Sequence, residues 1–363
     1  MPKIILTGGG SAGHVTPNLA MIPALQQRGW TLAYIGTHDG IERKLIGDAI
    51  PYYPISAGKL RRYFDWKNFT DPFRVLKGVY DAWRVLRRHR PDIVFSKGGF
   101  VSLPVAVAAR LLGIPVVLHE SDFTPGLANR LALPFSTHLC VTFPETMEHV
   151  PKHKASVTGN PIRRELLNGD PDKARELWGF DRSKPVMLVI GGSLGAAKIN
   201  QVVRESLPQL LAKFQIAHIC GKGNTLPSLT VQGYHQFEYV DQDLPHLFAL
   251  ADLVISRAGA NAVFELLALK KPHLLIPLSQ SASRGDQLLN ARSFARQGFS
   301  MLLEEEQLTG ASLIEAVEEL WQNREHYRKA MSGTKLTDAV AEVVSVIESI
   351  VKKQPPGCQP GGN

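Results

Sequence analysis

Thr7-Gly8-Gly9-Gly10-Ser11-Ala12-Gly13-His14 closes the apolar run Lys3–Thr7, and Gly191-Gly192-Ser193-Leu194-Gly195 closes the apolar run Val186–Ile190. Each glycine turn leads into helical periodicity, from Thr16 and from Ala196. A strand, a tight glycine turn and a helix N-terminus make an anion site, because bare backbone N–H groups and the positive helix end converge on one spot. Two such units about 180 residues apart predict two similar domains facing each other across a cleft.

Working outward, short apolar runs alternate with helical stretches. Strands are expected at 4–7, 31–36, 52–56, 92–96, 115–119 and 138–142, with helices at 17–28, 72–89, 103–112 and 126–133. The segment 160–172 carries two prolines and a Gly169-Asp170-Pro171 turn, which reads as a linker and a hinge. The pattern then restarts, with strands at 186–190, 215–220, 236–240, 253–256, 273–277 and 300–303. Helices are expected at 196–213, 244–251, 261–269, 286–297 and 310–323. Such alternation implies α/β architecture, two doubly wound Rossmann-like parallel sheets whose ligands sit beyond the carboxyl ends of the strands. The expected domains are 1–160 and 161–336, with a terminal helix at 337–352 packing back on the first domain and a disordered Pro/Gly-rich tail at 353–363.

At 363 residues the chain is long enough for two domains, and 44% hydrophobic with 20% charged residues describes a soluble globular protein. A net charge of +8 suits an anionic membrane surface or a phosphate-rich ligand; no zinc-finger, RRM or basic-arm pattern points to nucleic acid. Cys140, Cys220 and Cys358 have neither metal nor disulfide spacing. No signal peptide is expected, and no apolar run reaches the roughly 20 residues of a membrane span. Lys59-Leu60-Arg61-Arg62-Tyr63-Phe64-Asp65-Trp66-Lys67 mixes four bases with four large apolar residues, a composition for the headgroup region of an anionic bilayer; a basic, partly packed helix is the plainer alternative.

Gly8, Gly10 and Gly13 satisfy Gly-x-Gly-x-x-Gly, but Asp39 comes late for the ribose-binding acid of a nicotinamide site. His14, at the end of the turn, can take a proton near neutral pH or merely cap the helix. In Ser256-Arg257-Ala258-Gly259-Ala260-Asn261-Ala262-Val263-Phe264-Glu265, small residues open a helix after a strand. Glu265 shares a face with Asn261 and can accept from two vicinal ribose hydroxyls. Asn160-Pro161-Ile162-Arg163 presents a guanidinium suited to a diphosphate, or a plain surface arginine. Lys97-Gly98-Gly99-Phe100 and His119-Glu120-Ser121-Asp122 end strands on the same sheet edge as the first turn. Glu120 and Asp122 are alternative bases or helix caps.

These strings, in this order and spacing over about residues 1–350, resemble the bacterial MurG glycosyltransferases. The resemblance implies the two-domain GT-B fold and transfer of N-acetylglucosamine from UDP-GlcNAc to lipid I, giving lipid II, at the cytoplasmic face of the cell membrane. It implies donor contacts from Ser11, Ala12, Gly13, Arg163, Ser193, Val240, Ala260, Asn261, Ala262, Val263, Phe264, Glu265 and Gln287. Acceptor contacts are implied from Gly10, Gly98, Gly99, Phe100, Asp122 and Asn129. Many relatives carry Gln-Asn where this chain has Ser121-Asp122, and Leu-Thr-Val-Ser where it has Asn261–Phe264.

The expected chemistry is an inverting single displacement with His14 as general base, without cofactor or metal, the charge on UDP being met by helix dipoles and Arg163. The competing readings are a UDP-GlcNAc 2-epimerase or another glycolipid synthase of the same fold, a nicotinamide oxidoreductase, and a non-catalytic nucleotide-binding protein.

Overall fold

The computed structural model describes residues 1–58, 71–192, 195–279, 285–334, 336 and 338–353. The chain divides into two compact units, Met1–Arg163 with Asp338–Asn363, and Arg164–Thr337.

In the first unit seven parallel strands, β1 Lys3–Thr7, β2 Thr31–Thr37, β3 Tyr52–Ile55, β4 Ile93–Ser96, β5 Val116–Glu120, β6 His138–Val141 and β7 Ala155–Val157, lie in the order β3-β2-β1-β4-β5-β6-β7. β4 and β5 are buried at every position, as their unbroken apolar runs require of strands covered on both faces. One face carries Ile5, Val94 and Val116 against helices Asp71–His89 and Ser102–Leu111. The other carries Ile4, Leu6 and Phe95 against helix Thr16–Gln27. Helix Ala339–Lys352 completes that second layer: Val343, Val344 and Ile347 are fully buried in it.

The second unit holds β8 Val186–Ile190, β9 Gln215–Ile219, β10 Tyr234–Phe237, β11 Leu253–Ser256, β12 His273–Leu275 and β13 Met301–Leu302, in the order β10-β9-β8-β11-β12-β13 and all parallel. Both sheets therefore reverse winding at their centres, between β1 and β4 and between β8 and β11. In open α/β sheets, the crevice at such a point takes the ligand.

Several elements differ from expectation. β10 starts at Tyr234, whose buried hydroxyl meets His218 Nδ1 at 2.9 Å, and ends at Phe237 instead of reaching Val240. The helix expected over 196–213 breaks into Ala197–Glu205 and Leu207–Lys213 where Pro208 opens a new first turn. The segment 160–172 is not a bare linker: it contains a short 3-10 turn, Arg164–Asn168, and the start of helix Pro171–Trp178, capped by Asp170. Edge strand β7 and helices Ile41–Ile46 and Arg324–Ser332 are additional. The basic-aromatic run 59–67 and the tail 354–363 lie outside the described residues.

Candidate active site

In the first unit the turn after β1 is fixed from beneath. Tyr34 donates to Gly8 O at 2.7 Å, and Asn18 Nδ2 donates to Thr7 O at 3.1 Å. The turn after β4 packs directly on it. Gly9 N–H donates to Gly98 O at 3.3 Å, and a β-carbon on Gly99, whose φ is +84°, would lie 2.0 Å from Gly9 O. Only glycine fits there. Phe100 covers Gly10, and His14 and Asn129 flank Gly98, their Cδ2 and Nδ2 lying 3.5 and 3.4 Å from where its β-carbon would be.

This first turn is not the empty anion cradle that its glycines suggest. Glu42 is fully buried behind it and accepts from Gly10 N–H at 3.2 Å and Thr37 N–H at 2.9 Å. Gly9, Gly36 and Gly40 are bare because their β-carbons would strike this side chain. The acid sought near the end of β2 is therefore Glu42, three residues beyond Asp39, and it is spent on the turn. The Gly10 N–H is therefore already given to a side chain of the protein.

His14 is half-buried. Its Nδ1 lies 3.1 Å from Gly9 O and 3.0 Å from Ser11 Oγ. A carbonyl oxygen only accepts, so Nδ1 carries the proton and Nε2 the lone pair, the tautomer a general base needs. Glu120, one of the two alternative bases, is occupied by its own loop. It is buried, and its carboxylate accepts from Asp122 N–H at 3.0 Å, Gly126 N–H at 2.9 Å and Asn129 Nδ2 at 2.9 Å. Asp122 is half-buried on that loop. Asn129 gives its amide hydrogens to Glu120 and to His119 O, which leaves its buried Oδ1 without a protein partner beside Gly98, an acceptor for a ligand hydroxyl.

Lys97, not singled out from sequence as a site residue, ties these loops together. Its side chain is fully buried, and Nζ donates to His119 Nδ1 at 2.6 Å, to Ser121 Oγ and to Asn160 Oδ1 at 3.0 Å. His119 Nε2–H donates to Gly159 O at 2.9 Å, so Nδ1 is free to accept, and an ammonium has three donors for these three acceptors. Burial pushes the Lys97 pKa down to about 7 against the pull of Glu120 and Asp122, and burial with the Lys97 charge keeps His119 neutral. The signal was a lysine prolonging an apolar strand just before two glycines. Arg163 follows Asn160 by three residues, its buried Nε without a protein partner.

In the second unit the turn after β8 is set by Gly195, where a β-carbon would lie 2.0 Å from Cys220 O. Ser193 lies outside the described residues. After β11, helix Ala260–Ala268 starts at Gly259 with no side-chain cap and with open space beside that glycine. Ala260, Asn261 and Ala262 form its first turn, and Asn261 and Glu265 share its half-exposed face. Val263 and Phe264 turn their side chains into the core: both are buried, Val263 N–H bonds Gly259 O, and the Phe264 ring packs on Phe294. Arg257 is held away from the helix start by Glu305, Ile276 O and Pro277 O, so it braces the loop. Gln287 Oε1 accepts from Leu278 N–H at 3.0 Å. Val240 lies three residues past β10.

Residues 4–141 match the glycosyltransferase family 28 N-terminal domain and residues 186–347 the glycosyltransferase family 28 C-terminal domain. A UDP-N-acetylglucosamine--N-acetylmuramyl-(pentapeptide) pyrophosphoryl-undecaprenol N-acetylglucosamine transferase of Geobacillus thermodenitrificans is 56% identical over 353 residues, covering 96% of this chain and 99% of the relative. The chain belongs to the MurG branch of glycosyltransferase family 28. The crystal structure of Acinetobacter baumannii MurG superposes with a TM-score of 0.74 at 26% identity, over 96% of this chain and all of that one. A UDP-GlcNAc 2-epimerase from Neisseria meningitidis bound to UDP-GlcNAc shares the fold alone, with a TM-score of 0.69 at 15% identity over 97% of this chain and all of that one. The MurG family thus accounts for the two parallel-sheet units, which are those of a GT-B glycosyltransferase.

Proposed function

We propose that the chain is an inverting glycosyltransferase that moves GlcNAc from UDP-GlcNAc to the 4-hydroxyl of MurNAc in undecaprenyl-pyrophosphoryl-MurNAc-pentapeptide (lipid I), giving lipid II. The likeness over nearly the whole length to the Geobacillus transferase carries this reading. The first unit takes the acceptor at Gly10, Gly98, Gly99, Phe100, Asp122 and Asn129. The second takes the donor at Ala260, Asn261, Ala262, Glu265 and Gln287, with Val240 at the uracil. Ser11, Ala12 and Gly13 border the transferred sugar. His14 removes the proton of the attacking hydroxyl as the anomeric carbon–oxygen bond to UDP breaks. The negative charge left on UDP is met by the open helix start at Ala260, by the Ser193 turn and by Arg163.

Incubation with UDP-GlcNAc and a lipid I analogue, EDTA present, tests this. UDP is released only when the analogue is there; a 2-epimerase would turn over UDP-GlcNAc alone. Glu265→Ala is expected to weaken UDP and uridine alike, by about 1.5–3 kcal/mol for two hydrogen bonds to a carboxylate. Calorimetric titration that returns wild-type affinity for both ends the ribose assignment.

Peripheral attachment to the cytoplasmic face of an anionic membrane is part of the same proposal. Among the described residues no helix is long and apolar enough to cross a membrane. Helix Asp71–His89 leaves Phe73, Leu76 and Tyr80 exposed by 74%, 67% and 58%, spaced for one face, with Arg74, Lys77 and Arg84 in the same helix. Replacing Phe73 and Leu76 by Glu is expected to cut binding to phosphatidylglycerol vesicles about ten-fold or more, since each apolar side chain contributes about 1.5–3 kcal/mol on burial. Turnover of a short-chain soluble acceptor should persist; undiminished sedimentation with vesicles assigns the contact elsewhere.

A further inference from the structure

Behind the turn that follows β8 runs a buried chain of polar side chains with no part in the chemistry above. His218 in β9 and Asn200 in helix Ala197–Glu205 are both buried, and so is Tyr234 at the start of β10. The Tyr234 hydroxyl lies 2.9 Å from His218 Nδ1, and His218 Nε2 lies 2.9 Å from Asn200 Oδ1. Asn200 Nδ2 donates to Cys220 O at 2.9 Å.

The far end of the chain fixes the direction of every bond. Cys220 O only accepts, so the Asn200 amide nitrogen faces it and Oδ1 faces the imidazole. Oδ1 also only accepts, so the ring carries its proton on Nε2, and Nδ1 takes the hydrogen of the Tyr234 hydroxyl. Burial, with the Arg204 charge, pushes the His218 pKa down to about 3, so the ring stays neutral and keeps this tautomer. A buried network with each link satisfied is rigid.

The chain ends under the glycine turn. A β-carbon on Gly195 would lie 2.0 Å from Cys220 O, so the turn rests directly on that carbonyl group. Gly195, at a φ of +77°, closes the turn by donating its N–H to Gly192 O at 2.9 Å. Gly191, Gly192 and Gly195 bring no side chains to hold it, and the helix that follows starts without a side-chain cap. We propose that His218 is a positioning residue for the donor diphosphate: through Asn200 it fixes the Cys220 carbonyl on which the turn 191–195 is seated. The inference rests on the reading of that turn as a contact for the UDP diphosphate. A merely structural pin between β9, β10 and the helix would act on the whole second unit, and so on uridine as much as on UDP.

Calorimetric titration with UDP and with uridine separates the two. His218→Asn keeps a partner for Tyr234 near the Nδ1 position and gives up the donor to Asn200. UDP affinity should fall about ten-fold or more while uridine affinity stays within about two-fold, because the loss falls on the phosphate turn. KM for UDP-GlcNAc should rise and KM for a lipid I analogue should not. His218→Gln, whose amide nitrogen takes the place of Nε2, should recover most of the UDP affinity. Gly195→Ala, which strikes Cys220 O directly, is the reference. If Gly195→Ala binds UDP as wild type does, the turn holds no diphosphate and the reading beneath the inference fails. If Gly195→Ala loses UDP while His218→Asn keeps it, or if His218→Asn weakens UDP and uridine together, the inference alone is overturned. Unaltered protein gives an independent check: the ring nitrogen NMR shifts of His218 should place the proton on Nε2, and a proton on Nδ1 would reverse the chain and overturn the inference.

Discussion

His14→Ala is expected to lower kcat by about two to four orders of magnitude, the usual contribution of a positioned general base, while UDP affinity stays within about two-fold of wild type. The structural basis is the turn that seats the ring. Nδ1–H is anchored on Gly9 O, so the proton-accepting nitrogen is Nε2 and the ring cannot exchange roles without losing that bond. Gly9 is itself pinned through its N–H to Gly98 O, and Gly99 packs on its carbonyl group, so the base sits on two turns that brace each other. Glu42, buried beneath, accepts from Gly10 N–H and holds the turn from below. With His14 proposed to act on the hydroxyl and not on the nucleotide, the loss should appear in turnover and leave calorimetric UDP binding intact. His14→Gln, which keeps a polar planar side chain, should be nearly as inactive. Normal turnover in either variant would remove His14 from the mechanism and pass the role to Asp122, since Glu120 is bound to its own loop.

What could be read in advance followed physical locality. Central strands such as Ile93–Ser96 and Val116–Glu120 are unbroken apolar runs that a sheet buried on both faces demands, and the glycine turns follow strands in sequence as well as in space. β7 was not legible because Ala155-Ser156-Val157 is short and mixed, and an edge strand needs only one neighbour. The break at Pro208 is plain once a turn is known to start there, yet proline in a first helical turn does not by itself interrupt a periodic pattern. Glu42 and Lys97 were hidden for a different reason. Each is a charged residue whose meaning lies in partners from distant strands: Glu42 reaches back 32 residues to Gly10, and Lys97 reaches forward 63 residues to Asn160. A burial pattern predicts that such a charge is unfavourable without saying what compensates it. At Val263 and Phe264 the helical period turns the side chains into the core while Asn261 and Glu265 stay outside.

Lys97→Met should lower activity at neutral pH by ten-fold or more and change the dependence of stability on pH, a pairing that distinguishes a charged hub from simple packing. Methionine preserves length and burial but removes three donors, so the loops carrying Gly98, Ser121 and Asn160 lose their common tether. The loss should fall on the acceptor, as a raised KM alongside reduced kcat, because every loop that Lys97 joins belongs to the first unit. The pH effect follows from linkage. In the folded chain the Lys97 pKa is about 7, and in the unfolded chain it is the ordinary value of 10.5. Between these values the unfolded chain holds the proton and the folded chain has released it, so stability rises with pH across that window. Below about pH 7 both states are protonated, and the full penalty of a buried ammonium is present. Wild type should therefore gain on the variant by on the order of 3 kcal/mol between about pH 6.5 and about pH 9, a difference that cancels the other titrating groups. Urea denaturation of both proteins at those two pH values measures it. Parallel stabilities would mean that this ammonium titrates in the folded chain as it does in water, its three hydrogen bonds making good the whole cost of burial.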